Sequence, residues 1–187
     1  FKGSIVISDK IKENADEALI NLKAAGVKKT VMLTGDNKKT AEKVGEKVNI
    51  DEVHSELLPL GKVKEVEKLL KASNKNGRLA FVGDGVNDAP VLARADIGIA
   101  MGGIGSDAAI EAADVVLMKD DINALVDAIN VSKKTNKILW QNIIFALGVK
   151  VIIMVLGTFG IANMWTAVFA DVGVTIIAII NSTRCFR

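Results

Sequence analysis

The sequence predicts an α/β unit, a parallel sheet covered by helices, followed by a two-helix hairpin that crosses a membrane. Short β-branched runs alternate with amphipathic stretches along the first two thirds of the chain, which favours the parallel architecture. Of the 46 charged residues, 42 lie in residues 1–137 and four in the last 50. Of those last 50 residues, 33 are apolar, a composition suited to lipid. The first 137 residues hold 21 basic and 21 acidic side chains, so the net charge of +2 comes from the tail. A neutral soluble part leaves no electrostatic footprint for nucleic acid. The single Cys185, beside Arg184, supports neither a disulfide nor a zinc knuckle. An apolar fraction of 50% is enough to bury a core and excludes disorder. No signal peptide opens the chain; Phe1-Lys2-Gly3 runs into a strand without an initiator Met, which reads as a fragment.

Strands are expected over residues 3–8, 30–33, 79–82, 97–101 and 115–118. Ala15, Ala18, Leu19, Leu22 and Ala25 recur at helical spacing and stop at Gly26; Val63, Val66, Leu69 and Leu70 do so before Gly77. Lys119-Asp120-Asp121 opens a further helix, with Leu125, Ala128, Ile129 and Ser132 on one face, that ends in the basic cluster Lys133, Lys134 and Lys137. From residue 138 to residue 183 only Lys150 and Asp171 are ionisable. One span over the charge-free residues 151–170 would strand apolar segments on both sides. Two helices of about 20 residues, each roughly 30 Å long and joined near Gly160-Ile161-Ala162-Asn163, cover the stretch. Lys133, Lys134 and Lys137 before the hairpin and Arg184 and Arg187 after it place both ends on the cytoplasmic side. The expected division is therefore a soluble domain over 1–120, a stalk and basic segment over 121–137, a hairpin over 138–184 (helices near 138–159 and 165–183) and a cytoplasmic tail over 185–187.

In parallel sheets chemistry gathers where strands end. Gly83-Asp84-Gly85-Val86-Asn87-Asp88-Ala89-Pro90 follows the apolar run Leu79-Ala80-Phe81-Val82. Two carboxylates four residues apart, with no basic residue between them, repel each other without a cation, and Mg²⁺ is the natural occupant. The plainer reading makes Asp84 an Asx turn and Asp88 a helix cap. After the run ending at Leu33, Thr34-Gly35-Asp36-Asn37 offers a hydroxyl and backbone amides suited to a phosphate, unless Asp36 is simply an N-cap. Lys62 follows Pro59 in the first turn of a helix, where a cation opposes the helix dipole by a few tenths of a kcal/mol up to about 1, so an anion should offset it. A flexible, solvated lysine is the alternative. His54 is expected at the surface near Glu52 and Glu56, and Met101, Met118 and Met154 are expected to be filler.

Taken in order, Thr34-Gly35-Asp36, Lys62, Gly83-Asp84-Gly85-Val86-Asn87-Asp88, Ala100-Met101-Gly102 and Glu111-Ala112-Ala113-Asp114 resemble the phosphorylation domain of P-type ATPases, a branch of the haloacid dehalogenase superfamily. The resemblance implies a partial Rossmann-like haloacid dehalogenase domain followed by the last two transmembrane helices. It implies that Thr34 bonds the transferred phosphoryl group, that Lys62 neutralises it and that Asp84 ligates Mg²⁺ with Asp88 behind it. Gly35, Asp36 and Asn87 complete the implied phosphate site, and ATP is held mainly by a domain outside this sequence. The family's Asp-Lys-Thr-Gly-Thr nucleophile motif does not occur in the 187 residues, so this stretch alone is expected to be inactive. Pro59-Leu60-Gly61 replaces the usual acidic pair before the lysine.

An ion inside a bilayer costs about 2.5 to 3.5 kcal/mol on insertion scales, so Lys150 and Asp171 need a partner or a task. Lys150 lies 12 residues before Ala162 and Asp171 nine after it. The resulting depth offset of about 5 Å is one that a lysine stem bridges. Lys150 and Asp171-Val172-Gly173 are similar to the penultimate and last helices of zinc/cadmium/lead exporters, whereas the Tyr-Asn and Met-x-x-Ser-Ser pattern of copper exporters is absent from a chain with no Tyr. The resemblance implies a plasma-membrane, multi-pass efflux pump for Zn²⁺, Cd²⁺ or Pb²⁺, in which Asp171 binds the ion and Lys150 replaces it on release. A lone carboxylate cannot enclose a four-coordinate zinc, so the other ligands and the N-terminal part of the pump lie elsewhere. Two other classes remain open: a membrane-anchored, non-catalytic remnant that binds Mg²⁺ and phosphate, and a phosphatase-like domain on a hairpin anchor.

Overall fold

Helix punctuation and β-branched runs place the elements. The structure, a computed structural model, describes residues 11–73, 77–83, 86–102 and 107–186. The strand expected over 3–8 lies outside them. Helix α1 (Ala15–Ala24) buries Ala15, Ala18 and Leu22 on the face their spacing predicts. Strand β1 (Val31–Leu33) pairs in parallel with β2 (Glu52–His54), and α2 (Lys38–Lys47) connects them. Helix α3 (Pro59–Ala72) opens with proline at its first position, where the missing N–H costs nothing. Strands β3 (Ala80–Gly83), β4 (Ile97–Met101) and β5 (Val115–Leu117) form a second parallel sheet in that order, with the short helices α4 (Ala89–Leu92) and α5 (Asp107–Ala112) between them. β4 is the middle strand and is buried from Gly98 through Met101, the continuous burial of a strand covered on both faces. Among the described residues, Val66 of α3 and Val91 and Leu92 of α4 are the largest side chains fully removed from solvent.

Two expectations need correction. The expected strands do not include residues 52–54, yet these form β2, the parallel partner of β1, and the pairing leaves His54, expected at the surface, only 26% exposed, with its ring 2.9 Å from Glu52. The helix after β5 begins at Asn123 rather than at Lys119, because the Asp121 carboxylate accepts the Asn123 N–H at 2.9 Å and holds the preceding residues in a turn.

The chain divides into two compact units between Val126 and Asp127. Helix α6 (Asn123–Thr158) runs through residue 137 without a break, so the expected stalk and first span are one helix of 36 residues, about 54 Å long. Its end is a Schellman turn. Gly160 takes φ of 73°, its N–H bonds the Gly157 carbonyl at 3.0 Å, and the Ile161 N–H bonds the Leu156 carbonyl at 3.0 Å. Asn163 then caps α7 (Met164–Ser182) through a reciprocal box with Thr166. Both helices are long and apolar enough to cross a membrane, and only 6% of the apolar window in each is buried.

Candidate functional site

The loop after β1 is stitched to the loop that feeds α3. The Thr34 N–H donates to the His54 carbonyl at 3.0 Å, the Glu56 N–H to the Asp36 carbonyl at 2.9 Å, and the Leu57 N–H to the Thr34 carbonyl at 3.0 Å. The Thr34 hydroxyl donates to Asp36 Oδ2 at 2.8 Å and accepts the Asp36 N–H at 3.1 Å. Asp36 is therefore not the N-cap of α2. That position belongs to Asn37, whose side-chain oxygen accepts the Thr40 N–H at 2.9 Å, and Asp36 instead orients the hydroxyl.

Lys62 is carried by the first turn of α3, and the anion that offsets its position there is Asp88. Lys62 Nζ donates to Asp88 Oδ1 at 2.8 Å, with side chains 19% and 13% exposed. The solvated-lysine reading is set aside by this contact. Asp88 precedes α4, yet its side chain makes no capping hydrogen bond, so the plainer reading of that residue also falls away. A Cβ on Gly83 would come within 2.9 Å of Asp88 Cβ and 3.1 Å of Oδ2, so the glycine keeps the space at this carboxylate open. Oxygen donors at a strand end suit a hard divalent cation. Asp84, the other expected donor, lies outside the described residues, and Asn87 is exposed beside Asp88. Among the described residues no three His, Cys, Asp or Glu side chains are placed to hold a metal ion.

In the second unit Lys150 Nζ lies 3.2 Å from Asp171 Oδ1, joining α6 to α7 as the depth arithmetic predicts; the side chains are 64% and 66% exposed. Asp171 also sits one turn before Thr175, whose hydroxyl donates to the Asp171 carbonyl at 2.8 Å. A second polar contact between these helices was missed by sequence reasoning. Asn142 Nδ2 donates to Ser182 Oγ at 2.9 Å and to the Ala178 carbonyl at 3.2 Å, and Asn181 Nδ2 donates to Asn142 Oδ1 at 2.9 Å. Two amides on opposite apolar helices were the available signal, since such groups seek each other where water is absent.

The sequence model of the haloacid dehalogenase-like hydrolases matches residues 1–96 of the 187. The chain belongs to this family. This haloacid dehalogenase-like chain is similar, along its whole length, to two curated transport proteins. It is 57% identical over 187 residues to the cadmium, zinc and cobalt-transporting ATPase of Bacillus subtilis (strain 168), covering 100% of this chain and 27% of that one. It is 56% identical over 184 residues to the zinc-transporting ATPase of Synechocystis sp. (strain ATCC 27184 / PCC 6803 / Kazusa), covering 98% of this chain and 25% of the other. Its fold matches the crystal structure of a zinc-transporting PIB-type ATPase in the E2.Pi state with a TM-score of 0.86 at 41% identity, over 96% of this chain and 28% of that one. The chain thus spans about a quarter of the length of the relatives it matches.

Proposed function

We propose that these residues form part of an ATP-driven pump that exports divalent soft metal ions, Zn²⁺, Cd²⁺ or Pb²⁺, through an aspartyl-phosphate cycle. The observation that carries the proposal is the Lys150–Asp171 contact at 3.2 Å, within a stretch from residue 138 to 183 that holds no other ionisable side chain. A membrane protein that keeps two charges where each costs about 2.5 to 3.5 kcal/mol uses them. Asp171 would give a carboxylate oxygen to the ion, the remaining ligands coming from other helices. Lys150, already within reach, would take the carboxylate when the ion leaves and hinder its return.

In the soluble unit the Thr34 hydroxyl and the Lys62 ammonium would contact the phosphoryl oxygens, with Gly35, Asp36 and Asn87 shaping the site. Transfer of a phosphoryl group needs alignment and charge neutralisation more than covalent help. Asp84 and Asp88 would hold Mg²⁺, which supplies further positive charge when bound. The nucleophilic Asp, and most of the ATP site, would belong to other parts of a longer polypeptide, and the 187 residues by themselves would not turn over ATP. The hairpin would lie in the plasma membrane with the soluble unit and the C-terminus in the cytoplasm, because the basic residues cluster at that end.

The test is ATP hydrolysis by a complete pump carrying these residues, measured against a panel of divalent ions. Asp84→Asn should abolish turnover altogether, and Asp171→Asn should abolish its stimulation by metal. Lys150→Ala should slow release. Metal-stimulated turnover that survives Asp171→Asn would refute the exporter reading.

A further inference from the structure

A groove of about 750 Å³ opens along the hairpin where α6 and α7 carry their amides. Its lining is part amide and part hydrocarbon: Asn142 and Asn181 contribute the polar part, and Phe145, Ile180 and Phe186 the apolar part. Arg184 also lines it, with one guanidinium nitrogen donating to Asn181 Oδ1 at 3.0 Å. That bond uses one of five N–H groups, and no carboxylate pairs with Arg184 among the described residues. Trp140, 55% exposed, directly precedes the lining residue Gln141, and Lys134 and Lys137 lie within the two turns before it. An aromatic ring and basic side chains at one level of an apolar hairpin mark the membrane–water boundary.

We infer that this groove binds an anionic phospholipid, with the lipid phosphate on Arg184 and an acyl chain along Phe145, Ile180 and Phe186. The inference rests on the membrane reading of the hairpin given above. A guanidinium presents two parallel N–H groups to a phosphate, and the Asn181 contact holds that fork in place before the lipid arrives. The hydrocarbon lining selects a lipid over a free anion, because inorganic phosphate gains nothing from Phe145 or Ile180. Lys134 and Lys137 raise the local concentration of anionic headgroups without themselves lining the groove.

The test uses the full chain in nanodiscs with Trp165→Phe as background, leaving Trp140 as the sole indole. Bromine-labelled acyl chains quench nearby tryptophan, and the label is placed either on a minority of phosphatidylglycerol or on the phosphatidylcholine that surrounds it. Phosphatidylglycerol should be enriched beside Trp140 in the unmodified groove. Arg184→Gln should reduce that enrichment by more than the about five-fold that one basic side chain contributes at an anionic surface, because the forked phosphate contact is lost as well, and the part lost beyond that surface contribution should resist high salt. Lys134→Gln, which alters only the surface potential, should reduce it less and lose its effect in salt. Equal losses in the two variants, or displacement of the lipid by inorganic phosphate, would overturn the proposal. Quenching by labelled phosphatidylcholine reports insertion separately: if it is absent from every variant, the membrane reading fails, and if it is intact in Arg184→Gln, the variant has folded and inserted.

Discussion

Replacing Lys62 with Gln tests whether the soluble site is held together by charge. At 2.8 Å and an effective dielectric of about 20, the gross attraction between Lys62 and Asp88 is about 6 kcal/mol. Desolvation of two mostly covered side chains cancels a large part of it. Removing one partner of a fully buried pair costs about 3 to 5 kcal/mol, whereas exposed pairs contribute about 0 to 1 kcal/mol. With exposures of 19% and 13%, this pair lies between those limits, and we expect Lys62→Gln to destabilise the soluble unit by about 2 kcal/mol. Hydrogen exchange followed by mass spectrometry reads the change: amides of β3 should exchange about 10 to 100 times faster, since about 1.4 kcal/mol is tenfold. Asp88→Asn should cost less, because a lysine freed on the first turn of α3 can reach water. The double variant should recover about 1.5 kcal/mol relative to the sum of the single variants. A coupling within about 0.5 kcal/mol of zero would show that the 2.8 Å contact does not hold α3 to the start of α4, and the charge argument for this site would fail.

Two other outcomes follow from the same structure. The Lys23 ammonium, hydrogen-bonded at 2.6 Å, and the N–H and hydroxyl of Thr30 hold the Asp51 carboxyl down at about 2. Because the folded-state value is depressed, this group's stabilisation is complete above about pH 4 and is lost as the pH falls towards 2; Asp51→Asn should flatten an acid-unfolding curve in that window. Asn142→Leu removes the cross-hairpin amide contacts and should loosen α6 against α7 by about 0.6 to 1.7 kcal/mol, seen as a wider distance distribution between spin labels on the two helices. An unchanged distribution would mean that apolar packing alone sets the register.

The parts of the fold legible in the sequence were those with a local cause. The strand starting at Ile97 is a run of uncharged, mostly apolar residues preceded by Asp96 and followed by Gly102, and α1 stops where Gly26 permits a positive φ of 102°. Strand β2 had no such cause, since Glu52 and His54 are polar, and only pairing with β1 makes them strand. The drop in charge after Lys137 suggests an element boundary, yet α6 passes through it, because no proline between Asn123 and Thr158 breaks the helix and the change from charged to apolar residues does not interrupt its backbone hydrogen bonds. Site residues followed the same rule. Thr34 and Asp88 were visible as strand-end motifs, whereas their true partners, Asp36 and Lys62, depended on loop geometry and on a contact between residues 26 apart in sequence. Lys150 and Asp171 were the exception, because the fixed rise of a helix converts sequence distance from the turn into depth.

Both units place a lysine ammonium on an aspartate, and under the proposed function a ligand of one charge would compete for each pair. At Asp88 an incoming phosphate would draw Lys62 away from the carboxylate, and at Asp171 an incoming metal ion would displace Lys150. In each case the resting pair would lower the cost of keeping the charges ready, so that neither would have to be desolvated alone before a ligand arrived. The two pairs differ in cover: the first is mostly buried, while the second is about two-thirds exposed, which suits an ion that gathers further ligands from neighbouring helices. That contrast predicts opposite responses to charge removal. Neutralising Lys62 should cost stability in the soluble unit, whereas neutralising Lys150 should leave the hairpin folded and, under the proposed function, alter only how Asp171 would hold and release a cation.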